Sequence, residues 1–253
     1  MNPTINDNDP GTSMPALLVG LGAFASTLLG GAFALRFKDQ LHLIMGFSAG
    51  AVIAVAFFDL LPEAIKLAGG AYGVSLVSSL TALGFMLYMV LDRMVVLHAG
   101  GDEGIGGHPH RGRLGAGSLS IHSFLDGTAI GLAFQVSVPV GAIVAVAVLV
   151  HDFSDGINTV TVVLKNSGTS REAFRWLLLD AVAPVLGVAA TLFYRLPDAT
   201  LGSVLALFAG FFIYIGASDL LPESYHAHPT KLTTIMTLSG AGLLYLGIKL
   251  MGA

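Results

Sequence analysis

PVGAIVAVAVLVHDFSDGINTVTVVL, residues 139–164, is an unbroken apolar run with His151, Asp152 and Asp155 at its centre and no lysine or arginine. About 20 helical residues cross the roughly 30 Å hydrocarbon core of a bilayer. The stretch therefore reads as a membrane helix carrying carboxylates at mid-depth. The run before it, 115–137, has the same character, with His122 and Asp126, and no basic residue occurs anywhere from 114 to 164. A charged side chain at the bilayer centre costs about 2.5–3.5 kcal/mol on insertion scales, so intramembrane acids are functional candidates by default.

Working outward, the composition agrees. Of 253 residues 54% are apolar and 11% charged, with 12 Lys+Arg against 16 Asp+Glu; a soluble domain carries about a quarter charged residues. An integral membrane protein is expected, with the lipid bilayer as its surroundings. The net charge of −4 and the scattered basic residues leave no stripe to follow a phosphate backbone, which excludes nucleic acid as a partner. With no cysteine there are no disulfides, thiolate ligands or Cys nucleophiles. The 32 glycines suit close helix packing in lipid.

Eight spans are predicted, near 14–35, 41–61, 72–91, 115–137, 139–164, 172–194, 200–221 and 231–251. The runs are continuous rather than alternating, so helices are preferred to a barrel. Met1 to Ser13 lacks a basic leader and reads as a mobile extracytoplasmic tail before a single transmembrane transport domain, 14–253. Nine basic residues fall in the odd-numbered connections (Arg36, Lys38, Arg93, Arg111, Arg113, Lys165, Arg171, Arg175, Lys231) and three on the other side (Lys66, Arg195, Lys249). Basic loops stay cytoplasmic, which places both termini outside. The longest connection, about 92–114, is then a cytoplasmic Gly-rich loop in which His108 and His110 are a candidate metal contact beside the ordinary reading as a linker.

The chain repeats itself twice. Asp59-Leu-Leu-Pro-Glu63 ends the second span and Asp219-Leu-Leu-Pro-Glu223 the seventh, with Ala49-Gly50 and Ala209-Gly210 at the same offset. Those spans run in opposite directions, the mark of inverted repeats that place a site near the midplane. Between the halves, HSFLDG (His122 to Gly127) recurs as HDFSDG (His151 to Gly156). The layout is three, two and three helices in an all-α fold.

On a helix, His at i and Asp at i+4 share a face. Two such pairs on adjacent antiparallel spans offer two imidazoles and two carboxylates to one point, and the lack of local basic residues calls for a cation. Histidine and carboxylate without thiolate suit borderline divalent ions, Zn²⁺ first, with Mn²⁺ and Fe²⁺ behind it. Gly127 and Gly156 are expected to let the two helices approach closely enough to share an ion. Asp180, before Pro184 in the sixth span, is a further ligand candidate or a plain interhelical hydrogen-bonding group. Met45 is a soft contact on offer, core packing being its usual role. Asp59 and Glu63 would stand at the outer mouth, and Asp219 and Glu223, followed by His226 and His228, at the cytoplasmic one; each set draws in cations or simply ends a helix.

These paired motifs, with the LPE ends of spans two and seven, resemble the ZIP (Zrt- and Irt-like) family of divalent metal transporters, and the resemblance covers all eight spans. It implies a 3+2+3 arrangement, extracellular termini and movement of Zn²⁺ or a similar ion (Mn²⁺, Fe²⁺, Cd²⁺) toward the cytoplasm through a midplane site, often with two metal positions. His122, Asp126, His151 and Asp155 would form one position, and Ser123 and Asp152 with both shared acids the second. Three departures stand out: Asp126 and Asp155 replace the usual Glu, Ser123 a frequent Asn, and Ala183 precedes Pro184 where many members carry an acid; Asp180, one turn earlier, is the candidate substitute.

The expected function is secondary transport of divalent metal, not catalysis, with no organic cofactor, in a cell (inner) membrane and with a homodimer among the expected assemblies. No P-loop occurs. The rivals are an intramembrane zinc-dependent hydrolase, weakened by the absence of HExxH, and a proton-coupled carrier of an organic solute.

Overall fold

The computed structural model describes residues 10–34, 41–99, 109–226 and 231–251. Among them every regular element is helical. In chain order these are α1 (Pro10–Ala34), α2 (41–72), α3 (Val74–Ala99), α4 (Pro109–Val136), α5 (Val138–Lys165), α6 (Ser170–Thr191), α7 (198–226) and α8 (Lys231–Met251). Among the described residues seven helical segments are long and apolar enough to cross a membrane, and α4 is the helix outside that set. Its run of His122, Asp126 and Gln135 lowers its apolarity, and it lies packed between α5 and α6.

Local chemistry sets the helix ends. Gly73, at φ +80°, stops α2 in the left-handed region that glycine adopts without steric cost. A single residue, Ser137, joins α4 to α5; its hydroxyl accepts from the Val140 N–H at 3.3 Å, with Pro139 in the first turn. Thr169 caps α6 in the same way, accepting from the Glu172 N–H at 3.2 Å.

Helix α2 does not end at its proline. Pro62 has no N–H to give and its ring crowds the carbonyl four residues back. The helix absorbs this with a π-helical turn at Ala56–Leu60, in which the Leu61 N–H reaches Ala56, and then continues to Tyr72. The second DLLPE copy does likewise: Ile215–Leu220 is π-helical and the Leu221 N–H reaches Gly216. The repeated pentapeptide is thus a repeated backbone irregularity, of a kind frequent at functional sites.

The helices pack in two groups, α1 with α4, α5 and α6, and α2 with α3, α7 and α8, meeting where α2 faces α5 and α3 faces α4. Each group holds both members of every repeated pair, as an internal twofold relation requires. The outward faces of α3 and α8 are rich in exposed Leu and Met, including Leu83, Met86, Leu238 and Leu246, suited to lipid.

Gly127 and Gly156 do not mediate the α4–α5 contact expected of them. A methyl group on Gly127 would fall on the backbone of Pro184 in α6, and one on Gly156 on the backbone of Thr27 in α1. Each motif glycine seats its helix against an outer helix of the same group, α4 against α6 and α5 against α1. The symmetry is preserved, but the partner is different.

Candidate metal centre

Helices α4 and α5 lie side by side at the heart of the first group and aim their repeated His and Asp residues at one point. Asp126 Oδ2 lies 3.2 Å from Nε2 of His122 and 3.2 Å from Nε2 of His151. Asp155 Oδ2 lies 3.5 Å from His122 Nε2 and 3.8 Å from His151 Nε2. One donor atom from each of the four residues falls within 4.8 Å of all the others. All four side chains are at most 4% exposed.

A backbone contact behind His151 directs its nitrogen lone pair inward. His151 Nδ1 lies 3.1 Å from the Ala147 carbonyl. A carbonyl can only accept, so Nδ1 carries the hydrogen and Nε2 faces the carboxylates. Ligating histidines are commonly oriented in this manner. His122 has no such anchor: its Nδ1 is buried without a hydrogen-bond partner, and its ring rests edge-on against Tyr88 of α3, 5.7 Å between centroids.

Beside the four donors stand the remaining candidates. Asp152 is fully buried with neither oxygen hydrogen-bonded, Oδ1 lying 4.0 Å from His151 Nε2. Asp180 is also fully buried, but both its oxygens are engaged, Oδ1 by the Ser123 hydroxyl at 2.7 Å and Oδ2 by the Thr159 hydroxyl at 2.8 Å. Asp180 and Ser123 are therefore tied to each other, joining α4, α5 and α6. Among the described residues the ion pairs of Asp126, Asp152 and Asp155 involve histidine alone, with no lysine or arginine. Several carboxylates packed against inward-facing imidazole nitrogens in a dry interior need a positive charge to hold them together. Two nitrogens and two oxygens at these separations can supply a four-coordinate divalent ion.

Met45 is buried on α2, across the seam and one turn before Ser48, whose hydroxyl lies 3.1 Å from both the Val150 carbonyl and Ser154 Oγ of α5. Asp59 is buried in the first π-helical turn with Oδ2 unpartnered, while Glu63 pairs with Lys66 at 2.7 Å. Both acids line a cavity of about 330 Å³ between α2 and α8. The side chains of Asp219, Glu223, His226 and His110, and residues His108 and His228 entirely, lie outside the described residues.

Sequence reasoning missed the wall opposite the donors. Tyr88 of α3 and Phe212 and Tyr214 of α7 close it, Phe212 standing edge-on to His151 with 5.9 Å between centroids. Lone aromatics in apolar helices give no periodic signal. Thr159 was within reach, since 151, 155 and 159 share one face of α5 at i, i+4, i+8.

Comparison with known proteins agrees with this architecture. The family model described as ZIP Zinc transporter matches residues 103–247, a span that contains the whole His/Asp cluster. Zinc transporter ZIP6 of Homo sapiens is 32% identical over 136 residues, 52% of this chain and 18% of that protein. Zinc transporter ZIP10 of Mus musculus is 32% identical over 108 residues, 42% of this chain and 13% of its own length. Zinc transporter ZupT of Corynebacterium aurimucosum is 27% identical over 237 residues, 82% of this chain and 84% of that one. The match therefore reaches less than a fifth of the length of the ZIP6 and ZIP10 relatives and most of ZupT. The chain belongs to the ZIP family, an all-helical class of integral membrane protein.

Proposed function

We propose that this protein carries a divalent metal cation, Zn²⁺ in the first place, across a cell membrane toward the cytoplasm, with the ion held between α4 and α5 by His122, Asp126, His151 and Asp155. The observation that carries this reading is the four buried donors lying within 4.8 Å of one another with, among the described residues, no lysine or arginine paired to them. The ion is cargo, and no chemistry is performed on it. Asp152, with two unpartnered oxygens beside His151, is the side chain best placed to add a second position shared with Asp126 and Asp155. Ser123 and Asp180 support that position from behind, and Met45, buried on α2, is the soft contact offered from the other helix group.

Since all four donors belong to one helix group and the aromatic wall to the other, sliding or rocking of the groups would open the site to either face in turn. The Asp59 and Glu63 pair serves the outer mouth; Asp219, Glu223, His226 and His228 serve the inner one, with His108 and His110 in the cytoplasmic loop. The bias of basic residues toward the odd-numbered connections supports that loop lying inside and both termini outside.

Uptake of zinc into proteoliposomes tests the reading. Asp126→Asn and Asp155→Asn should each abolish uptake above empty vesicles; full uptake by both variants would remove the site.

A further inference from the structure

A second cavity, of about 480 Å³, lies on the seam between the helix groups. Its walls are largely apolar, with Leu91 from α3 and Leu125 and Ile121 from α4. Its deep end is the ring of His122, and its other end is bounded by Arg113 and Trp176. Leu91 is 50% and Ile121 65% exposed, so the cavity opens sideways, toward lipid, rather than into a closed core.

Depth and charge say what fills it. Arg113 and His122 are nine residues apart on one helix, roughly 13–14 Å of rise, close to the half-thickness of a hydrocarbon core of about 30 Å. With His122 near the midplane, Arg113 therefore lies at the level of the headgroups. Arg113 is well exposed and uses Nε for Glu172 at 2.7 Å, leaving the guanidinium's other donors to face outward. Arg93 in the last turns of α3 and Arg171 and Arg175 in the first two turns of α6 are also exposed, while Asp92, which lines the cavity too, is engaged by the Tyr214 hydroxyl at 2.9 Å. Tryptophan at such a level is the ordinary membrane-interface residue.

The geometry points to a binding site for one anionic phospholipid, its acyl chain lying in the α3/α4 cavity against Tyr88, Ile121 and Leu125 and its phosphate at Arg113. Because the walls come from both helix groups, an occupied cavity wedges the seam beside the His/Asp cluster and favours the present arrangement of the two groups. The site rests on the chain spanning a bilayer and not on the identity of the ion, so the test contains no metal, and its failure would leave the transport reading untouched.

Trp176 is the single tryptophan of the chain and lines the cavity, which makes it the reporter. The full chain is reconstituted in phosphatidylcholine vesicles containing equal mole fractions of phosphatidylglycerol or phosphatidylcholine brominated on the acyl chain, and Trp176 fluorescence is measured. The expected result is quenching with about a fivefold preference for the anionic lipid, the share one arginine contributes near a charged surface. Arg113→Gln should erase the preference. Gly117→Leu and Ser118→Leu, which fill the cavity from two positions, should each reduce quenching by both lipids. Equal quenching by the two lipids in the parent protein, a preference that survives Arg113→Gln, or full quenching in both filled variants would each overturn the site and leave bulk lipid as the explanation.

Discussion

His151 donates its Nδ1 hydrogen to the carbonyl of Ala147, one turn back on α5, across 3.1 Å. The bond fixes which ring nitrogen carries the proton and leaves Nε2 aimed at Asp126 before any ion arrives. His122, the matching residue of the repeat, lacks that anchor. A pre-oriented ligand loses less freedom on binding. His151→Ala should therefore weaken zinc binding more than His122→Ala, by about tenfold or more, in equilibrium titrations of the purified protein. Equal losses would mean that the carbonyl bond contributes nothing to the site.

Asp180 accepts hydrogen bonds from Ser123 of α4 and Thr159 of α5, so it braces three helices behind the donors. Thr159→Val keeps the shape and removes one of these bonds. Such an interhelical bond contributes about 0.6 kcal/mol on average in membrane proteins and about 1–2 kcal/mol in model peptides. The thermal unfolding midpoint of Thr159→Val should fall, while its zinc affinity stays far closer to the parent's than that of Asp126→Asn. A variant with parental stability and abolished zinc binding would reverse the assignment and make Thr159 part of the ion site.

What could be read from sequence and what could not divides along physical lines. A bilayer penalises every unpaired charge and every broken backbone bond. Apolar run length therefore exposes the spans, and intramembrane acids at i, i+4 spacing from histidine expose the cluster of His122, Asp126, His151 and Asp155. Which helix a glycine faces carries no such signal, and Gly127 meets Pro184 rather than α5 because packing is decided by the whole bundle. Pro62 reads as the end of a span, yet the helix runs on to Tyr72, since a π-helical turn leaves room for the ring at the cost of one irregular turn. The aromatic wall was hidden for a similar reason: Tyr88 and Phe212 look like any other apolar helix residue until the two groups are brought together.

The glycine contacts lead to a paired prediction. Gly127→Ala and Gly156→Ala each place a methyl group on a neighbouring backbone, at Pro184 and Thr27, and backbone yields less easily than a side-chain tip. Overpacking of this kind costs about 1–3 kcal/mol. Gly242→Ala in α8 meets nothing within 4 Å and gains helix propensity instead. Thermal unfolding of the three variants in detergent should give two lowered midpoints and one unchanged or raised. Unchanged midpoints for both motif variants would show that α4–α6 and α5–α1 are not in close contact.

Pro62 and Pro222 follow the two π-helical turns with one leucine between, and the missing N–H of each is the local reason for the irregularity. Replacing Pro62 with alanine restores a donor, and an α-helical register through 56–60 would turn Asp59 away from its buried position by about one residue's rotation on the helix. The central donors sit on other helices and do not depend on that turn. Pro62→Ala should therefore leave equilibrium zinc binding nearly intact while lowering the initial rate of uptake into vesicles several-fold, with Pro222→Ala acting in the same direction from the other mouth. Loss of binding together with uptake would instead place the π-helical turn within the structure that supports the central site, and parental rates in both variants would reduce the prolines to simple features of helix geometry.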